Sequence, residues 1–240
     1  MKKLERLLIY LGAGHINSKI YQFQEYMERI LWWNDKVNLT AIMDPTEFEE
    51  KHFMDSLLIG ELGEFSGSQK IVDIGTGGGF PGIPLAIAYP SKEFLLVDSL
   101  EKRLKIVKEV AEEIGIDNVT VLHSRAEDLG RNKDYRERFD LCVSRAVAHL
   151  AVLSEYCLPP VKPGGSFIAY KGPEAEGEAA ASGRAITVLG GEGARVVKSK
   201  AASMVSGYEL DHLLVVVKKK KKTPAAYPRK AGTPAKTPIK

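Results

Sequence analysis

What this chain has little of narrows it first. It holds two cysteines in 240 residues, Cys142 and Cys157, with no CxxC spacing and no histidine cluster nearby. That excludes a disulfide framework and a zinc-cysteine site and suits a reducing cytosol. No apolar run approaches the ~20 residues of a membrane-spanning helix. The opening MKKLERLLIYLGAG has a basic pair and a short apolar stretch, as an export signal does. Glu5 and Arg6 interrupt it and no small-residue cleavage site follows, so it reads as a helix. No internal repeat is present. Acidic groups are missing from the end of the chain: residues 218–240 hold nine Lys and Arg and no Asp or Glu. The first 217 residues carry 25 basic and 31 acidic groups, so an acidic body of net −6 bears a +9 tail. By charge alone such a tail is either solvated disorder or a nucleic-acid arm.

What is there falls into three parts. Residues 1–65 form a helical extension, with apolar positions at Ile20, Phe23, Met27, Ile30 and Leu31 in helical spacing after the plausible caps Asn17 and Ser18. Pro45 marks another helix start. Trp32, Trp33 and Phe53 read as core rather than as base-stacking groups. Residues 66–217 alternate strand and helix. Strands are expected at 70–75, 93–98, 118–124, 139–144 and 164–172, and two late ones in ARVVKSK and HLLVVVKK. Helices are expected at 100–115, 147–159 and 174–189. Repeated βα units imply an α/β fold, with a mainly parallel seven-stranded sheet and helices on both faces. Residues 218–240 are basic and Pro-rich, and should be extended or irregular.

The chemistry starts at KIVDIGTGGGFPGIPLAI, residues 70–87, where a strand breaks into five glycines within eight residues. Glycines at the carboxyl end of a strand let backbone N–H groups approach a ligand and permit positive φ. A phosphate-binding GxxxxGK[ST] loop fails, because Ile83 and Pro84 stand where Lys and Ser/Thr belong. A dinucleotide GxGxxG begun at Gly75 meets Phe80 where the third glycine belongs; begun at Gly77 it is complete but lies two residues off the strand with Pro81 inside it, which leaves it weak. The remaining pattern is the Asp-x-Gly-x-Gly-x-Gly loop of S-adenosylmethionine-dependent methyltransferases, here Asp73, Gly75, Gly77 and Gly79. It needs an acidic partner after the second strand for the ribose hydroxyls, and Asp98, followed by Ser99, is there. It needs a polar or acidic partner after the third strand, and Glu127 and Asp128 in SRAED supply it. The cofactor expected is S-adenosyl-L-methionine, with no metal.

Further stretches resemble a single family. WNDKVNLTAI (33–42), KHFMDSL (51–57), DIGTGGGFPGIPLAI (73–87), VSRAVA (143–148) and YPRKAGTPAKTPIK (227–240) occur together and in this order. They resemble the ribosomal RNA small-subunit methyltransferase G family, also called glucose-inhibited division protein B. The resemblance implies a Rossmann-like class I methyltransferase domain in a cytoplasmic bacterial enzyme, a monomer independent of membranes. The enzyme would methylate N7 of one guanine in the decoding region of 16S ribosomal RNA, free or in the small subunit. It implies cofactor contacts at Gly75, Phe80, Ala126, Glu127 and Arg145.

N7 of guanine offers a lone pair and no proton, so such a reaction needs positioning rather than a general base. Arg145, just past the fourth strand, is the expected catalytic residue. His52 and Asp55 share a helix face, with helix packing and substrate contact as their alternative roles. Expected RNA contacts are His52, Lys171, Arg229, Lys230 and Lys236. For the tail the alternative is that it folds back over the sheet and orders the cofactor mouth.

Overall fold

The computed structural model describes residues 1–145, 148–201 and 212–240. The Ala146 and Val147 portion of VSRAVA, and the expected start of its helix, lie outside the described residues.

Alternation within each strand decides the architecture. In β1 (Lys70–Ile74) Ile71 points to one side and Val72 to the other, and β2 (Glu93–Asp98) divides Phe94 and Leu96 from Leu95 and Val97 in the same way. β4 (Phe139–Ser144), β5 (Val161–Lys171) and β7 (Leu213–Lys219) repeat the division. A period of two with apolar residues on both phases makes a sheet that must be covered twice. β3 (Val119–His123) and β6 (Gly191–Val197) complete seven strands in the order β3-β2-β1-β4-β5-β7-β6. β3, β2, β1, β4 and β5 run parallel, and β7 is antiparallel to both β5 and β6.

One face is covered by α1 (Lys2–Tyr10), α2 (Ile16–Asn34), α6 (Gly82–Ala88) and α7 (Glu101–Glu113), together with the short turns between α2 and β1. These turns are α3 (Pro45–Phe48), a π-helical turn over Glu49–Met54, α4 (Asp55–Leu57) and α5 (Gly63–Ser66). The other face carries α8 (Ala126–Arg131), α9 (Leu150–Cys157), α10 (Ala175–Ala181) and α11 (Gly183–Val188). The helical extension therefore shares a core with the sheet: Phe23, Tyr26, Ile30 and Phe53 sit in the same cluster as Ile71, Leu96 and Leu141.

Several local expectations shift. α2 begins at Ile16 with His15 in a left-handed conformation before it, so Asn17 and Ser18 lie in its first turn. Pro45 does open a helix, with Asp44 capping it by accepting from the Glu47 N–H at 2.9 Å. The Ala-rich stretch divides at Ser182 into two helices. Trp32 is not core: it is 58% exposed, with the Lys36 ammonium 3.6 Å above its ring.

The basic segment departs most from a free tail. Its expected start at 218 falls inside β7, and Lys219 is fully buried. The Lys219 ammonium donates to the Leu158 and Val161 carbonyls and pairs with Glu137. Burial lowers its pKa to about 8. Lys220 pairs with Glu192, while Lys221 and Lys222 face solvent. A short helix, Thr233–Lys236, follows.

Candidate active site

The glycine loop is shaped from beneath by a buried carboxylate. Asp73 is fully buried; its Oδ2 accepts from the Thr76 hydroxyl at 2.7 Å and the Gly82 N–H at 2.9 Å. Those two bonds tie the strand end to the first residue of α6 and leave the loop to bulge between them. Gly75, Gly77 and Gly79 take φ of 77°, 57° and 89°, where a side chain would strain the backbone. At Gly79 a Cβ would collide with the Tyr26 hydroxyl, which donates to the Gly78 carbonyl at 2.8 Å. The helical extension thus braces the loop directly. Burial raises the Asp73 pKa to about 7, against the pull of its two hydrogen bonds, and Oδ1 has no partner among the described residues.

Above the loop lies a cavity of about 330 Å³ at the carboxyl ends of β1, β2, β3 and β4. Of the residues expected at the cofactor, Gly75, Asp98, Ser99, Ala126 and Glu127 line it and Asp73, Gly77, Gly79, Phe80 and Arg145 do not; Arg103, Arg125, Leu153 and Tyr156 line it besides. Asp98 accepts from the Gly77 and Leu100 N–H groups, both at 2.9 Å, which fixes its carboxylate at the mouth of the loop. Glu127 is 4% exposed, and its Oε1 accepts from the Gly232 N–H at 2.7 Å.

These residues fit the cofactor. A buried carboxylate oxygen without a partner among the described residues, Asp73 Oδ1, lies beneath the glycines, and there is open space over Gly77. Two further carboxylates stand at successive strand ends. Such a set offers acceptors to an ammonium and a ribose diol.

Phe80 and Arg145 belong to a second cluster. His52 stacks on Phe80, 4.2 Å between centroids and nearly parallel, and Phe48 and Tyr26 meet the same ring edge-on. The Arg145 guanidinium lies 5.4 Å from the Phe80 centroid. It donates to Asp55 Oδ2 at 2.9 Å, to the Lys51 carbonyl at 2.8 Å and to His52 Nδ1 at 3.1 Å. Arginine cannot accept, so His52 Nδ1 carries no proton and Nε2–H donates to Thr40 Oγ1 at 2.6 Å. His52 is therefore neutral, in keeping with a pKa lowered to about 3 by burial and by the Arg145 charge. Asp55, 1% exposed, also meets His212 Nδ1 at 2.9 Å. His52 and Asp55 do share a face, and what they face is Arg145.

Two anticipated RNA contacts are drawn elsewhere. Lys171 is buried, donating to the Ala148 carbonyl at 2.9 Å and pairing with Glu178 at 2.8 Å. Arg229 grips Glu155 through Nε, Nη2 and its own backbone N–H. Both cations are paired with neighbouring carboxylates, Lys171 in a buried setting and Arg229 with its side chain 27% exposed. Lys230 and Lys236 remain exposed.

Sequence reading passed over several residues that build the site. Asn34 clamps the loop before Pro45: its Oδ1 accepts from the Leu39 and Thr40 N–H groups, and the Leu39 carbonyl then lies against Gly78. Asn34 stands in WNDKVNLTAI, so the signal was present without its meaning. Tyr26 continues the helical spacing of Phe23 and Ile30. Arg136, in an unremarkable charged stretch, binds the carbonyls of Gly130, Thr223, Pro224 and Tyr227.

A parallel sheet with a glycine loop after β1 and acidic residues after β2 and β3, closed by an antiparallel β7, defines a class I S-adenosylmethionine-dependent methyltransferase fold. Solved structures agree on the fold. An O-methyltransferase from Bacillus cereus in complex with SAH aligns with TM-score 0.54 at 21% identity, covering 81% of this chain and 90% of that one. Cofactor-bound Rv0187 from MTB aligns with TM-score 0.55 at 18% identity, covering 82% and 90%. At family level, the GidB model, described as rRNA small subunit methyltransferase G, matches residues 19–205. The ribosomal RNA small subunit methyltransferase G of Clostridium novyi (strain NT) is 46% identical, over 93% of this chain and 90% of its own. That of Clostridium botulinum (strain Eklund 17B / Type B) is 48% identical, over 96% and 95%. The chain belongs to the rRNA small subunit methyltransferase G family, and it is an S-adenosylmethionine-dependent methyltransferase. No helix among the described residues is long and apolar enough to cross a membrane.

Proposed function

We propose that this chain methylates N7 of a single guanine in the decoding region of 16S ribosomal RNA, acting in the cytoplasm as a monomer. The cofactor, when bound, supplies an electrophilic methyl group on a sulfonium. Asp73, Asp98 and Glu127 would hold it by its amino and hydroxyl groups, and the glycine loop admits it to the backbone. N7 has no proton to lose, so the residues at the acceptor position need only orient the base and avoid opposing the charge that develops on it.

The pairing of Arg145 with buried Asp55 and with His52 Nδ1 is the observation that carries this reading for the acceptor. A bare cation beside N7 would oppose transfer. Here the guanidinium is neutralised by buried Asp55, and the imidazole beside it is neutral. A donor of this kind can hold an oxygen on the guanine edge without adding net positive charge where the methyl arrives. His52 then acts through Arg145 and Phe80 rather than on a phosphate. Lys230 and Lys236, exposed beyond the Arg229 anchor, are the assigned phosphate contacts.

The test is methyl transfer from labelled S-adenosylmethionine to small ribosomal subunits lacking the modification, followed by nucleoside analysis. Label recovered as 7-methylguanosine at one position of 16S RNA is the expected result. Label in another nucleoside, or turnover only on a small molecule, would overturn it.

A further inference from the structure

The C-terminal segment touches the cleft from behind. Two helices form the cleft wall away from the glycine loop: α8 contributes Ala126 and Glu127, and α9 contributes Leu153 and Tyr156. Residues 223–236 bind both. On α8, the Gly232 N–H donates to Glu127 Oε1 and the Pro228 carbonyl accepts from Arg131 Nε at 2.8 Å. On α9, Arg229 holds Glu155, itself 1% exposed, by a fork of side-chain bonds at 2.6 to 3.1 Å and a backbone bond at 2.8 Å. The seat is fitted closely: a Cβ on Gly130 of α8 would come within 2.9 Å of the Pro228 ring. Arg136 fastens the approach by binding three carbonyls of the segment.

We propose that this segment is a strap that sets the spacing of α8 and α9, with Arg229 and the Gly232 N–H as positioning groups for the cofactor site. The inference rests on the assignment of the cleft to S-adenosylmethionine. One oxygen of Glu127 is committed to Gly232, and Oε2 carries no protein hydrogen bond among the described residues. The strap therefore aims the free oxygen into the cavity. Without it Glu127 gains rotamers in which neither oxygen faces the ligand, and Tyr156, next to Glu155 on α9, loses its backing. Positioning of this kind acts on ligand affinity before it acts on chemistry. The strap is not merely an RNA arm: its anchors point inward, and its free lysines point outward.

Three measurements test it. In Arg229→Met the affinity for S-adenosylhomocysteine, by calorimetry, should fall about tenfold, as for removal of an outer partner of a ligating side chain. The KM for S-adenosylmethionine should rise in parallel, while kcat at saturating cofactor stays within roughly twofold, because uniform binding is lost and not transition-state binding. Leu7→Ala, in α1 on the opposite face, supplies a destabilised control whose affinity should not change. In the unaltered chain, S-adenosylhomocysteine should slow hydrogen exchange at the Gly232 amide, a readout that needs no variant to fold. Unchanged affinity in Arg229→Met, an equal loss in Leu7→Ala, or unchanged exchange at Gly232 would each overturn the strap. The binding and exchange arms involve no RNA, so they decide it even if the ribosomal substrate is wrong. Failure of the unaltered chain to bind S-adenosylhomocysteine would overturn the cleft assignment and the strap together.

Discussion

The glycine loop and the C-terminal strap are both irregular and meet across one cavity, yet they are held in opposite ways. The loop is held locally: Asp73, Thr76 and Gly82 lie within a stretch of ten residues, and the latter two both donate to Asp73. The strap has almost no local structure. Its anchors, Glu127, Arg136 and Glu155, come from 74 to 105 residues earlier in the chain. A locally held segment carries its geometry in its own spacing. A remotely held one has only composition to show, and nine cations without carboxylates look like a free tail until their partners are in place.

The comparison breaks most sharply at Gly79. Gly79→Ala puts a methyl against the Tyr26 hydroxyl and Ile83 on a left-handed backbone. It should cost about 3 kcal/mol in urea unfolding and abolish measurable cofactor binding. Glu155→Ala attacks the strap. It leaves the Arg229 guanidinium, 27% exposed, without its carboxylate, and should cost about 1–2 kcal/mol, less than for a fully buried pair. A loss in Glu155→Ala as large as that in Gly79→Ala would mean that the remote contacts are as rigid as the local ones.

Asp55→Asn sharpens the contrast at the acceptor. It keeps the shape and removes the charge that neutralises Arg145, so kcat should fall roughly tenfold or more with cofactor affinity unchanged. An equal fall in cofactor affinity would place Arg145 with the cofactor and not with the base.

Titration separates local from remote burial more gently. The Asp73 pKa is raised from 3.8 to about 7, so the folded state binds the extra proton between those values. Its contribution is fully present below about pH 4 and is lost as pH rises through 7. His52 runs the other way: with its pKa lowered from 6.5 to about 3, its contribution is present above 6.5 and is lost as pH falls toward 3. Urea midpoints should therefore flatten between pH 4 and 7 in Asp73→Asn, and between pH 6.5 and 3 in His52→Gln. Parallel curves for either variant and the unaltered chain would contradict the assignment. Smallest of all, Lys230→Ala with Lys236→Ala should leave stability unchanged. The pair should reduce the salt slope of RNA binding by about one unit for each phosphate no longer neutralised.

By itself the sequence determined the alternating strands, the order of helices and strands, the glycine loop with Asp73, and the acidic residues Asp98 and Glu127 after two successive strands. All of these follow from short-range rules: a period of two, a period near four, and a carboxylate that needs donors close by. Tertiary structure alone decided that Arg145 answers to Asp55 and His52, that Tyr26 and Asn34 brace the loop, and that Lys171, Lys219 and Arg229 pair with Glu178, Glu137 and Glu155. It also decided that Trp32, apolar in helical register, stays outside with Lys36 on its face. The physical reason is common to all of these. A charge or ring has no preferred role along the chain, and acquires one from whichever group the fold brings within about 3 Å of it.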